Sequence, residues 1–583
     1  KTQAILHISL LLVSIVFLKV EPSLDWKSTG LENPGLENPV LVILALLTVT
    51  IGVPYLLVSS TGPLIQHWFA QTNPGQSPYR LFALSNVGSL LGLLSYPFLI
   101  EPMLSLHTQA LIWRIGYLAF VVLCAGCAVR LLRQSSTEST ATNQTEDNAE
   151  APAPAWTTRL LWLGLAAVAS IMLLATTNHI CQDVAVIPFL WILPLSLYLI
   201  SFIICFDKEA WYKRSVWVPA GVVAIATIIW LMMYNLSEDS HVLILVGVFC
   251  LGMFICCMIC HGEMVRLKPA PRYLTSFYLL VALGGALGGV FVSLVAPKLF
   301  TGFWELHIGI ILTAILGGIT LLRQPKLRNR LQWTIGWATA TFILAGFLIH
   351  HVRETIASPI DTSRNFYGVL RIYQKNLEPA DPEHHKRVNA VENGKYTLRS
   401  MYHGEIIHGT QFTEGLPRKF ATTYYSRNSG ISLAIRLHPN SKINNSATPG
   451  IRKGLKIGVV GLGTGTIAAL TRKRDDIRYY EINPEVIRLN KKYFTYLSDT
   501  EATTTVVLGD GRIRLEEELA KDGSNRFDIL VLDAFSGDAI PVHLITREAF
   551  ELYFKHLEPD GILVVNITNK HLDLSPVLKA LAS

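Results

Sequence analysis

Before residue 352 the chain is a succession of long apolar runs that almost no charged residue interrupts, and this limits its folds more than any motif does. The runs fall at about 4–20, 40–60, 81–100, 110–132, 158–178, 186–206, 216–234, 241–260, 273–297, 305–322 and 331–350. Each approaches the roughly 20 residues that a helix needs to cross a hydrocarbon core. Half of the 583 residues are apolar and 16% are charged, and the apolar residues concentrate in these runs. The expectation is a multi-pass helical bundle of about eleven spans in a lipid bilayer. Residues 134–157, rich in Ser, Thr, Ala, Pro and acids, read as a disordered linker. It divides the bundle into halves at 1–133 and 158–351.

Two related halves are also suggested by a repeat. His67, Pro78-Tyr79-Arg80-Leu81-Phe82, Gly88 and Gly92 recur in outline as His261, Pro271-Arg272-Tyr273-Leu274, Tyr278, Gly284 and Gly288. Glycines four apart let two helices pack closely. No run carries a mid-membrane pair of opposite charges, so transport lacks its usual sequence support. All eight cysteines lie at or before Cys260. Cys257-Met258-Ile259-Cys260-His261 has a haem-attachment spacing, but it ends an apolar run and no distal ligand is placed, so packed thiols and no haem are expected.

Loop charges set a topology. Arg80, Arg130, Arg133, Arg159, Lys208, Lys213, Arg214, Arg266, Lys268, Arg272, Arg323, Lys326, Arg328 and Arg330 fall in one set of alternate loops, against Lys19, Lys27 and Lys298 in the other. The richer set belongs in the cytoplasm. If 331–350 crosses fully, everything after it lies outside the cytoplasm; if it does not, the rest returns inside. The net charge of +7 is largely explained by these loops, so nucleic acid is not an expected partner. The chain begins at Lys1, and its last helical pattern, Leu574–Leu581, should lead into more sheet, so both ends read as continuing.

After the bundle the pattern changes. Residues 352–450 read as a small β-rich unit, with strands at Phe366–Ile372 and Thr397–Tyr402. His403, His408, Gln411, Tyr424 and Tyr425 gather here, as turn residues or as part of a lid over a site; spacing alone places no third metal ligand. Residues 451–583 read as a Rossmann-like α/β domain. A strand at Lys456–Val460 runs into Gly461-Leu462-Gly463-Thr464-Gly465-Thr466, and further strands end at Glu481, Asp510 and Asp533. The glycines let backbone amides approach a ligand at the start of the next helix. An acid about twenty residues on can accept from two ribose hydroxyls. Asp510 also fits a helix N-cap.

The order of small β-unit, glycine turn, Glu481, Gly509-Asp510-Gly511 and Phe527–Asp533 resembles the spermidine synthase (polyamine aminopropyltransferase) family, in particular its membrane-fused bacterial type, over about residues 363–583. The resemblance implies an enzyme of the bacterial inner membrane that transfers an aminopropyl group from decarboxylated S-adenosylmethionine to an amine. It implies that Gly461, Gly463, Gly465, Glu481, Asp510 and Gly511 hold the donor. Asp533 would be the base, with Tyr425 and Asp538 beside it and His403, His408, Gln411 and Tyr424 toward the acceptor. No metal is implied. Thr464 stands where the soluble enzymes have an acid in the turn, and Ser536 where they have a second acid, so the acceptor need not be a diamine. Other readings are an extracytoplasmic enzyme that acts on a glycan, peptide or lipid-linked substrate through Asp533, His403, His408 and Tyr425, and a transporter with a polyamine-sensing domain. Oligomeric state is not readable from the sequence.

Overall fold

The computed structural model describes residues 2–15, 39–73, 78–134, 152–184, 190–234, 242–324, 331–377, 396–404, 406–441, 454–535, 540–568 and 573–582. Most of the expected linker falls outside these residues. The chain forms two compact units, the first helical and running to Val352, the second consisting mainly of Arg353–Ser583.

Among the described residues, eight helices are long and apolar enough to cross a membrane: Tyr79–Met103, Leu106–Leu131, Trp156–Gln182, Arg214–Tyr234, Val242–Arg266, Leu274–Leu299, Glu305–Leu322 and Leu331–Ala357. About eleven were expected. The runs at 4–20 and 186–206 appear as the shorter helices Thr2–Ser14 and Ile192–Asp207, each bordering residues outside the described set. The run at 40–60 lies in a helical stretch from Pro39 to Thr72 with a π-turn at Thr48–Gly52.

Gly284 and Gly288 do what their spacing suggested. A Cβ at either would lie 2.3 Å from the Leu163 carbonyl oxygen or 2.4 Å from that of Ala167, so only glycine lets Leu274–Val290 approach Trp156–Asn178 this closely. At Gly88 and Gly92 a Cβ would meet no described residue within 4 Å, so among the described residues the repeat in sequence is not matched by a repeat in packing. A charge pair is present at helix ends, away from the mid-membrane positions where none was expected. Arg214, at the start of one helix, lies 2.5 Å from Glu263 near the end of the next, and Tyr212 Oη donates to the same carboxylate at 2.9 Å. Placement at helix ends, rather than at mid-span, lets this pair exist in an apolar setting.

The second unit has two sheets. The first is an antiparallel meander of β1 (Asp361–Asn365), β2 (Gly368–Leu377), β3 (Tyr396–His403) and β4 (Ile406–Phe412). The second is wholly parallel: β5 (Lys456–Val460), β6 (Asp476–Glu481), β7 (Thr503–Leu508), β8 (Phe527–Leu532) and β9 (Leu557–Val565), in the order β7-β6-β5-β8-β9. β5 and β8 are apolar almost throughout because both faces of a central parallel strand are covered. The chain leaves β5 toward β6 and returns from the other edge at β8, so the order reverses between them. In open α/β sheets ligands bind at the carboxyl ends of such strands.

Candidate active site

The crossing from β5 to β6 differs from the helix that the glycine turn was expected to open. Only a short 3-10 segment, Thr466–Leu470, follows Gly465. The rest of the crossing is a turn in which the Asp475 carboxylate accepts from the Arg472 and Leu455 amides, leaving too little chain for a longer helix. The glycine turn therefore contributes its shape and amides rather than a helix dipole. Gly461 sits at φ 103°, and a Cβ there would lie 2.4 Å from the Asp533 carbonyl oxygen. This glycine lets the end of β5 lie flat against the end of β8, where the Asp533 amide donates to the Val460 carbonyl at 2.9 Å. Gly463, at φ 53°, meets the His408 carbonyl in the same way. Gly409, at φ 139°, lies against Thr464, so β4 passes directly over the turn.

Glu481 is buried and braces that turn. Its Oε2 accepts from the Leu462 amide at 3.0 Å and its Oε1 from the Asn483 amide at 2.9 Å. Burial raises its pKa, against the pull of these amides. With the Ile482 amide as a third donor, the carboxylate still keeps an acceptor site for a sugar hydroxyl. Asp510 caps the helix Gly511–Lys521 through the Ile513 amide at 3.0 Å and takes His543 Nε2 on its other oxygen at 2.8 Å. Burial works to raise its pKa, but His543 and the Ile513 and Arg512 amides outweigh it and hold the group below the ordinary carboxylate value. Gly511 is tight against Val460, where a Cβ would come within 2.5 Å of a methyl group.

Asp533 ends β8. Tyr425 Oη donates to its Oδ2, and Asn566 Nδ2, just past β9, donates to its Oδ1 at 2.8 Å. Burial raises the Asp533 pKa to about 6, and the two donors hold it from rising further. Thr423, at φ 55°, turns the chain so that Tyr424 and Tyr425 follow, with their rings 4.5 Å apart; Tyr425 is buried and Tyr424 stands exposed. Although much of the side chain is exposed, desolvation of its hydroxyl, and then the Asp533 charge, push the Tyr424 hydroxyl up to about 12.

His403 donates from Nε2 to the Tyr367 carbonyl at 2.9 Å, and its ring lies 5.4 Å from that of His408. Burial, then His403, lower the His408 pKa to about 3, so this imidazole stays neutral; its Nε2 is buried and unpartnered. Gln411 faces elsewhere: its amide donates to the Arg418 carbonyl and to Thr495 Oγ1 and accepts from the Thr495 amide, tying β4 to the parallel-sheet side. Asp538 lies outside the described residues. Among the described residues no group of three or more His, Cys, Asp and Glu is placed to hold a metal ion.

Four residues the sequence reading did not assign join the site. Asn566 clamps Asp533, and His543 pairs with Asp510. Tyr367 is held by Asn365, whose Oδ1 accepts from the Tyr367 amide at 2.9 Å while its Nδ2 donates to Asn483 Oδ1 at 2.6 Å. Burial, then the Asp510 and Glu481 charges facing it, raise the Tyr367 hydroxyl's pKa. A signal existed for Asn566, the first polar residue after the apolar run of β9 and thus at the same carboxyl edge. His543 sits far from Asp510 in sequence and carries none.

No family model matches the chain. Part of it is 31% identical over 114 residues to a polyamine aminopropyltransferase of Vibrio vulnificus, covering 19% of this chain and 37% of that protein. It is 30% identical over 112 residues to a probable polyamine aminopropyl transferase of Bifidobacterium longum, 19% of this chain and 23% of the relative. A third match, 31% over 109 residues, is to an N-terminal histidine N-methyltransferase of Emericella nidulans, 18% of this chain and 19% of the relative. The chain thus spans little more than a third of the first relative and less of the others. All three are transferases by name, and the chain carries a region homologous to polyamine aminopropyltransferases.

Proposed function

We propose that the protein is a multi-pass membrane transferase. Its C-terminal unit takes a sulfonium nucleoside of the decarboxylated S-adenosylmethionine type and passes the aminopropyl group to an amine. The observation that carries this reading is Asp533, a clamped carboxylate with a pKa raised to about 6, set against the glycine turn at the reversal point of a parallel sheet. Glu481 and Asp510 offer acceptors to the ribose and base of the donor, and the turn amides lie along its length. The amine nitrogen attacks the methylene carbon beside sulfur as the carbon–sulfur bond breaks. The bonding pair goes to sulfur, leaving a neutral thioether nucleoside, and a nitrogen proton passes to Asp533. The test is calorimetric titration of the full chain with decarboxylated S-adenosylmethionine, S-adenosylmethionine and methylthioadenosine. Binding that Glu481→Gln weakens is the expected result; no binding of any of the three rejects the reading.

One observation favours a second reading. Leu331–Ala357 is an unbroken helix of 27 residues, long enough to cross completely. If that helix crosses fully, the loop charges would put the second unit outside the cytoplasm, where a nucleoside donor is scarce. The unit would then act on a glycan, peptide or lipid-linked substrate, with Asp533 and Tyr425 in acid–base roles and neutral His408 offering a lone pair. A reporter fused after Ser583 and active on only one side of the membrane separates the two: activity in the cytoplasm supports the first, activity outside it the second.

A further inference from the structure

Five exposed apolar side chains accompany the candidate active site, each beside a residue that shapes it. Phe366 precedes Tyr367, Tyr424 precedes Tyr425, Ile482 follows Glu481 and Val542 precedes His543. Ile513 is the residue whose amide donates to Asp510. They come from five separate stretches of chain, yet the polar residues beside them lie together. His543 Nε2 is 2.8 Å from Asp510, and the Tyr367 hydroxyl faces the Asp510 and Glu481 charges. Glu481 braces the glycine turn, against which Asp533 and its partner Tyr425 sit. Val542 is 75% exposed and Ile513 54%. A lone exposed apolar residue means little, but a set of them rimming one polar centre marks a surface that meets something apolar.

Two further features say what covers this rim. The first is the tether. Leu331–Ala357 is long and apolar enough to cross a bilayer, and only three residues separate its end from β1, which starts at Asp361. Ten residues of chain join Ala357 to Tyr367, which bounds their separation at about 35 Å. The site is thus held within reach of a bilayer surface. The second is charge. Inside the apolar rim stand the carboxylates of Glu481, Asp510 and Asp533, a centre that suits a cationic head. The described hydrogen-bond partners of Asp533, Tyr425 and Asn566, are both neutral, so this carboxylate serves a single nitrogen. An acidic centre inside an apolar rim complements a molecule with one amine and an apolar body.

Building on the transferase reading, we propose that the amine acceptor is the primary amine of a membrane lipid, whose head enters the site while its body lies against the apolar rim. The deprotonated lipid nitrogen attacks the methylene carbon beside sulfur, the carbon–sulfur bond breaks and its electron pair stays on sulfur. One nitrogen proton passes to Asp533. The product is a secondary amine that carries the aminopropyl group on the lipid, together with the neutral thioether nucleoside.

The test uses the full chain in nanodiscs of phosphatidylcholine, with or without phosphatidylethanolamine, and decarboxylated S-adenosylmethionine radiolabelled in its aminopropyl group. Label is expected to enter the chloroform-soluble fraction only when phosphatidylethanolamine is present. 1,4-Diaminobutane should be used with a kcat/KM at least about tenfold lower. In mixed detergent micelles, Phe366→Ser and Val542→Ser should each raise KM for phosphatidylethanolamine at least about fivefold. Leu437→Ser, equally exposed but beside no site residue, should not. All three are surface changes, which a fold usually tolerates. Donor that binds by calorimetry while its label stays water-soluble overturns the lipid acceptor and leaves the transferase reading standing; absence of donor binding overturns both. A diamine used as well as the lipid, or an unchanged lipid KM in both rim variants, also overturns the lipid acceptor.

Discussion

Replacing Tyr425 by Phe tests whether Asp533 is the base and whether its partners tune it. Asp533 stands at about 6 because burial disfavours its charge while Tyr425 and Asn566 favour it. Tyr425 Oη donates to Oδ2, and the variant removes that donor with little change of shape. A hydrogen bond to a charged group is worth roughly 1.5–3 kcal/mol. At about 1.36 kcal/mol per unit, its loss raises the carboxyl pKa by about 1–2 units. A base works only in its ionised form, so the acid limb of kcat/KM should move from about 6 to about 7–8. At pH 6, where wild type is about half ionised, the rate should fall roughly 5- to 50-fold, and the two enzymes should converge above about pH 9. The assay follows release of the thioether nucleoside against pH. A limb that stays in place or moves to lower pH would refute the assignment of Asp533 as the titrating base.

Asp533→Asn should abolish turnover while stabilising the second unit at pH 7–8. Because the folded pKa is raised from 3.8, ionisation in the fold costs stability progressively as pH rises from about 4 to about 6. Removing it recovers up to about 3 kcal/mol, less what solvent screens at this half-buried group, and thermal unfolding at pH 4 and pH 8 should show the gain only at the higher pH. Gly461→Ala places a Cβ 2.4 Å from the Asp533 carbonyl oxygen at a positive φ, so donor affinity should fall at least about tenfold by calorimetry, with about 1–3 kcal/mol of added backbone strain. Glu481→Gln turns an amide N–H toward one of the two backbone amides it now accepts; the turn should lose about 1–3 kcal/mol, visible as faster hydrogen exchange at Leu462 or Asn483.

What the sequence determined by itself is whatever a short stretch of chain dictates locally. Apolar runs too long for ordinary core helices mark the bundle. β5 is legible at Lys456–Val460, and β6 and β8 within a residue of their ends, because buried parallel strands are short, β-branched and closed by glycine or acid. Glycines 461, 463 and 465 are legible because all three sit at positive φ, which glycine adopts without strain. Tertiary structure decided the rest, by joining residues far apart in the chain. Asn566 reaches Asp533 only because β9 pairs with β8, and His543 reaches Asp510 from a separate crossing. Gln411, a site residue by its neighbours, is turned away by its bonds to Thr495 and Arg418. Gly88 and Gly284 share a sequence pattern, but among the described residues only Gly284 meets another helix, because packing depends on which face a neighbour covers.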